Sequence, residues 1–99
     1  MILEFTKNLD FNQIVCSNDL VLFDFKMENC ARCESLLNQI KDYLNHNDIK
    51  VYIVDVKDNM KLVRKLNIYA SPCLLLYKNK ELVHRNLGTF NFDEFIKYM

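Results

Sequence analysis

The stretch Leu20-Val21-Leu22-Phe23-Asp24-Phe25-Lys26, followed by Met27-Glu28-Asn29-Cys30-Ala31-Arg32-Cys33, decides how the rest of the chain is read. Its first half is apolar, rich in strand formers and too short for a helix, which reads as a buried strand. After it, Leu36, Leu37, Ile40, Tyr43 and Leu44 recur at three- and four-residue spacing, the apolar face of a helix over roughly Ala31–His46. The C-x-x-C therefore falls where strand gives way to helix. Unpaired N–H groups and the dipole at a helix N-terminus favour an anion, and a thiolate is such an anion. Cys30 accordingly reads as an attacking thiolate. Cys33, three residues on and on the same helical face, reads as the resolving thiol that closes a short disulfide with it.

Upstream, Ile2–Phe5 reads as a short strand, and Leu9, Phe11, Ile14 and Val15 as a first helix ending near Cys16-Ser17-Asn18-Asp19. Downstream, the segment 49–56 has β-branched residues at alternate positions and reads as a strand. Asp58 is placed to cap a third helix carrying Met60, Leu62, Val63 and Leu66. Cys73–Tyr77, the polar turn Lys78-Asn79-Lys80-Glu81 and Leu82–His84 then read as a hairpin. Asn91 and Glu94, at capping-box spacing, open a last helix with Phe95, Ile96 and Met99. The expected order is βαβαβαββα. Phe23, Phe25, Tyr52, Tyr77, Phe90, Phe92 and Phe95 follow these periods and read as core rather than as a base-stacking platform.

Ninety-nine residues suffice for one domain, 1–99, with a single core. Formal net charge is zero, so no nucleic-acid or anionic-membrane partner is indicated. The N-terminus carries no export-signal pattern, and no apolar run is long enough to span a bilayer. Four cysteines without an export signal point to reduced thiols in a cytoplasmic protein, favouring catalysis or metal binding over a disulfide scaffold. A structural metal site wants four ligands in paired clusters. With one C-x-x-C, and with His46 and His84 on a helix end and a hairpin, neither metal nor cofactor is expected. The lone glycine and lone proline, Gly88 and Pro72, are expected where no other residue would serve.

Taken in order, these features resemble the thioredoxin family along the whole chain. The C-x-x-C follows the second strand, Asp24 lies inside that strand six residues before Cys30, Ser71-Pro72 opens the fourth strand, and Gly88 precedes the last helix. The resemblance implies an α/β thioredoxin fold, a central mixed sheet flanked by helices. It implies dithiol–disulfide exchange with protein disulfides through Cys30 and Cys33, a thioredoxin-reductase-like electron donor, and a monomer. It also implies a cis bond before Pro72, with Ser71 and Pro72 offering backbone to an extended substrate. Asp24, the one charge inside its apolar strand, would be a buried acid of raised pKa; in the family the matching acid helps deprotonate the resolving cysteine.

The chain departs from the usual family pattern Trp-Cys-Gly-Pro-Cys-Lys, reading Asn29-Cys30-Ala31-Arg32-Cys33-Glu34. Arg32 puts a permanent positive charge within a turn of Cys30, which favours the thiolate. Cys16 is expected in the core. Cys73, beside Pro72, is expected as a buried strand residue, with an alternative disulfide near the site as its other reading. Two further functions fit the pattern: a redox-inactive thioredoxin-fold binding module, and a glutathione-linked glutaredoxin-like protein. Against the latter stand the extra N-terminal strand and helix and the missing Gly-Gly after the proline-led strand.

Overall fold

Side-chain alternation along Leu20–Lys26 (β2) sends Val21, Phe23 and Phe25 to one face and Leu22 and Asp24 to the other, and all five are buried. A strand covered on both faces needs a helix layer on each. The computed structural model, which describes residues 1–88 and 91–99, supplies them. The remaining elements are β1 (Ile2–Glu4), α1 (Phe11–Ser17), α2 (Ala31–Leu44), β3 (Lys50–Asp55), α3 (Met60–Lys65), β4 (Cys73–Lys78), β5 (Glu81–Leu87) and α4 (Phe92–Phe95). Single 3-10 turns over Lys57–Asn59 and Ile96–Tyr98 precede α3 and follow α4. The expected order βαβαβαββα is the observed one.

The sheet runs β1-β3-β2-β4-β5, with β1 and β2 parallel to β3 and with β4 and β5 antiparallel to their neighbours. One core cluster joins Phe5, Phe11, Val63, Cys73 and Leu75 to Phe23 and Phe25 on the α1 and α3 side. The other joins Leu36, Ile40, Leu74, Leu76, Phe92 and Phe95 to Leu22 on the α2 and α4 side. Tyr52 and Tyr77 are half-buried against the first cluster; Phe90 lies outside the described residues.

With so little glycine, the left-handed backbone positions fall mainly to asparagine, whose short polar side chain tolerates them. Asn79 (φ 53°) and Lys80 (φ 72°) form the two-residue turn between β4 and β5, and the Asn79 N–H donates to the Asp19 carbonyl at 2.8 Å. Asn67 (φ 56°) ends α3: Ile68 N–H donates to Val63 O at 3.0 Å and Asn67 N–H to Arg64 O at 3.1 Å. Arg85 of β5 reaches across to the same helix end, donating to Leu66 O at 2.6 Å and to Asn67 O. A guanidinium there complements the negative end of the helix as well as its carbonyls.

Several expectations need correction. Asp58 caps nothing: it lies within the 3-10 turn, and neither that turn nor α3 has a side-chain cap. The carboxylate that orders this corner is Asp55, which accepts the Lys57 N–H at 2.9 Å. Leu9 is exposed and precedes α1, which is capped by Asp10. Cys16 is exposed rather than core, because α1 buries Phe11, Ile14 and Val15 and position 16 falls off that face. β5 extends past His84 to Leu87, with a bulge that leaves Val83 between the Leu76–His84 and Tyr77–Leu82 pairs. Asn91 does cap α4 through the Asp93 N–H, but Glu94 pairs with Lys97 at 3.0 Å.

The Arg85 clamp is testable. Arg85→Met should lower unfolding free energy by about 1.5–3 kcal/mol, the range for hydrogen bonds to a charged group, as read by urea denaturation. Arg85→Lys should recover only part, since its single nitrogen replaces two that each reach a different carbonyl from a planar, pre-organised fork.

Candidate functional site

Cys30 is the N-cap of α2, in extended backbone (φ −114°, ψ 103°), and its Sγ accepts the Cys33 N–H at 3.2 Å. A cap is usually a side-chain oxygen; here sulfur takes that place. The chain enters through Asn29, whose left-handed φ of 54° turns the backbone from strand into helix. The two cysteines form a disulfide with a Cα–Cα distance of 5.2 Å. Cys33 is 3% exposed, on the α2 face that also buries Leu36 and Ile40, whereas Cys30 is half-buried. Cys30 is thus the more open of the pair.

Asp24 is 1% exposed, and neither carboxylate oxygen has a hydrogen-bond partner among the described residues. β2 lies between β3 and β4, so Asp24 sits on a central strand and not on a solvent-facing edge. Its register neighbours are Ile53 and Leu74, which offer neither charge nor proton. Alternation places it on the Leu22 face of the sheet, the face covered by α2 and its Cys33. Burial pushes the Asp24 carboxyl up to about 7, with the half-buried Lys26 pulling weakly the other way. A carboxyl at that value can hold or release a proton near neutrality.

Ser71 and Pro72 are joined by a cis peptide bond. The antiparallel register pairs Phe25 with Cys73, so Pro72 comes level with the end of β2, from which residues 27–29 lead to Cys30. The Pro72 carbonyl accepts the Gly88 N–H at 2.8 Å, and Gly88 adopts φ 78°. Arg85, through Leu66 and Asn67, anchors the start of the segment leading to Pro72. No sequence pattern signals this role, because the acceptors are backbone carbonyls 18 and 19 residues away. Cys73 is fully buried with the cluster on the α1 and α3 side, the opposite face from Asp24. Its thiol is pushed up to about 11, chiefly by burial, with Arg85 opposing and the charge of Asp24 adding to the rise. Among the described residues no group of three or more His, Cys, Asp or Glu could hold a metal ion, and no helix is long and apolar enough to cross a membrane.

The isolation of Asp24 has a measurable consequence. With its folded pKa above the unfolded one, the native state binds the proton more tightly. The penalty is therefore absent below about pH 4, grows between pH 4 and 7, and is complete above that. Asp24→Asn should match the parent's stability at acid pH and exceed it by up to about 4 kcal/mol at pH 8, since each tenfold change in proton affinity is worth about 1.4 kcal/mol. Urea midpoints across pH would show a falling parent curve and a flat variant curve. Parallel curves would place water or a counter-charge on the carboxylate.

Comparison with known proteins agrees with this geometry. The family model described as Thioredoxin matches residues 2–99. The chain is 31% identical over 84 residues to Thioredoxin 1 of Plasmodium falciparum, covering 84% of this chain and 81% of that protein. It is 30% identical over 92 residues to the thioredoxin of Buchnera aphidicola, covering 91% and 84%. The solution structure of oxidised thioredoxin from Plasmodium falciparum superposes with a TM-score of 0.82 at 26% identity, covering 98% of this chain and 96% of that one. A C-x-x-C disulfide at the head of α2, in this strand order and with this whole-chain match, makes the chain a member of the thioredoxin family.

Proposed function

We propose that this chain is a dithiol–disulfide oxidoreductase that reduces or exchanges disulfides in other proteins. The observation that carries the reading is the Cys30 sulfur capping α2 and accepting the Cys33 N–H. The reduced protein retains that N–H and the helix dipole beside Cys30, and both stabilise a thiolate over a thiol.

In the reaction, the Cys30 thiolate attacks one sulfur of a substrate disulfide, forming a mixed disulfide and expelling the other substrate sulfur as a thiolate. Cys33 then loses its proton and attacks Cys30 Sγ, closing the Cys30–Cys33 disulfide and releasing the second substrate thiol. The substrate gains two electrons and two protons, and the chain's dithiol supplies them. Asp24, unpaired and on the Cys33 side of the sheet, accepts the proton that Cys33 must lose. Ser71, set by its cis bond to Pro72, binds the substrate backbone: it has no hydrogen bond among the described residues, so its N–H and C=O are open to an extended segment, while Pro72 offers its ring beside them. A thiol-based donor, of the thioredoxin-reductase kind, returns the disulfide to the dithiol. The unpaired thiols of Cys16 and Cys73 suit a reducing compartment such as the cytoplasm.

The first test is reduction of insulin with dithiothreitol as the electron source. The parent should accelerate it, and Cys30→Ser should abolish the acceleration. Cys33→Ser should accumulate a mixed disulfide with the substrate, visible on a non-reducing gel, while Cys30→Ser accumulates none. The reverse pattern would exchange the two roles. Activity only with glutathione and small mixed disulfides would point to the glutaredoxin-like chemistry instead.

The charge of Arg32 gives a second test. Beside Cys30 it favours the thiolate and hence the dithiol over the disulfide. Arg32→Pro should lower the reduction potential by tens of millivolts, since about 1.4 kcal/mol corresponds to about 30 mV for two electrons. Equilibration against glutathione buffers reads this directly, and a rise would exclude local charge as the controlling factor.

A further inference from the structure

In the connection that leads from β2 to Cys30, Met27 and Glu28 join Val56, Lys57 and Met60 in lining a surface hollow of about 370 Å³. It shares Lys57 and Met60 with a larger hollow of about 710 Å³ between the β1–α1 connection and α3. The larger hollow has Phe5, Leu9, Phe11 and Leu62 among its apolar lining. Its charged lining is uneven: Lys7, Lys57, Lys61 and Lys65 against Asp10 and Asp58. None of these lysines has an ion-pair partner among the described residues, and the Asp10 carboxylate is occupied by the Gln13 N–H. Across both hollows four lysines face Asp10, Asp58 and Glu28, leaving one positive charge in excess, and Lys61 and Lys65 lie in the larger hollow, away from Glu28 of the smaller one.

We propose that these two adjoining hollows dock an extended segment of the disulfide-bearing partner, with an apolar side chain against Met27 and Met60 and acidic residues over Lys57, Lys61 and Lys65. The inference rests on the oxidoreductase reading, because the mixed disulfide is what delivers the segment. A partner bonded to Cys30 must lay its flanking residues on the surface within reach. Met27 is three residues from Cys30, and three extended residues span roughly 10 Å, so a side chain a few positions from the reacting cysteine reaches the first hollow. Thioether side chains are flexible and polarisable, and they accept aromatic or branched partners of varied shape. Met27 and Met60 are 51% and 40% exposed, so these walls stand open to a partner. Past Met60, the partner's chain meets unpaired ammonium groups, which select carboxylates and raise the association rate at low salt.

The probes are two peptides, each carrying one cysteine bonded to thionitrobenzoate, whose release is followed by absorbance. One has Phe three residues from its cysteine and a run of Glu beyond; the other has Ser and Lys at those positions. The readout is the ratio of their rate constants with the reduced protein, so a general loss of activity does not imitate the effect. The parent should favour the Phe/Glu peptide by about tenfold at low ionic strength, with the advantage shrinking in 0.5 M salt as surface charges are screened. Met27→Ser with Met60→Ser should remove the contribution of Phe, and Lys61→Glu with Lys65→Glu that of the Glu run. All four side chains are exposed, so the substitutions leave the core untouched. A parent ratio near one, or a ratio that persists in both variants, overturns the proposal. A parent that also fails to reduce a free aromatic disulfide overturns the oxidoreductase reading, and the docking proposal with it.

Discussion

Strand β2 has no free edge and no free face: β3 and β4 take its backbone groups, and two helix layers cover its side chains. A segment held that firmly fixes where the chain leaves it. Lys26 ends the strand, the Val56 N–H donates to its carbonyl at 2.9 Å, and four residues later Cys30 must begin a helix that returns over the sheet. The sulfur is therefore placed by the sheet, through a connection too short to wander. The same strand carries Asp24, so the buried acid and the cysteine pair keep their relation without any direct bond between them being required.

The site divides its electrostatics between two environments. At the surface end, Cys30 has a backbone N–H and a helix terminus to favour its charged form. Within the apolar packing, Asp24 and Cys73 have no such help, and burial drives both towards their neutral forms. Cys73 is a thiol beside Pro72 in sequence, yet it belongs to the other face of the sheet and stays protonated. Burial thus sets the enclosed Cys73 thiol apart from the half-buried Cys30 sulfur, although both are the same side chain.

Much of this was legible in the sequence. The apolar run before Cys30 and the period-3.6 face after Cys33 are local signals, and local signals determined the element order and the helix-N-terminal place of Cys30. Asp24 stood out because one charge in such a run must be either buried or at an edge, and the sheet order decided which. What sequence could not show were contacts with the backbone. Arg85 looks like any strand arginine until α3 brings carbonyls to it, and Asp55 displaced Asp58 as the ordering carboxylate because a 3-10 turn replaced the expected helix start. Cys16 is a different kind of miss. The spacing of Phe11, Ile14 and Val15 already put position 16 off the buried face, but apolar neighbours in sequence outweighed it.

The left-handed positions at Asn29, Asn67 and Asn79 carry a meaning for stiffness. Glycine would reach the same φ with less strain, but it would also widen the conformations open to both the native turn and the unfolded chain. Asparagine narrows both. The entry to Cys30, the exit from α3 and the tip of the hairpin are thus built as stiff corners, and the one glycine is kept where Gly88 bonds the Pro72 carbonyl at φ 78°. In mechanical terms the cysteine pair rides on a frame with few hinges. Redox cycling on such a frame exchanges bonds over a stiff backbone, and the adjustment to each new partner falls to exposed side chains such as Met27 and Met60 and to the partner's own chain.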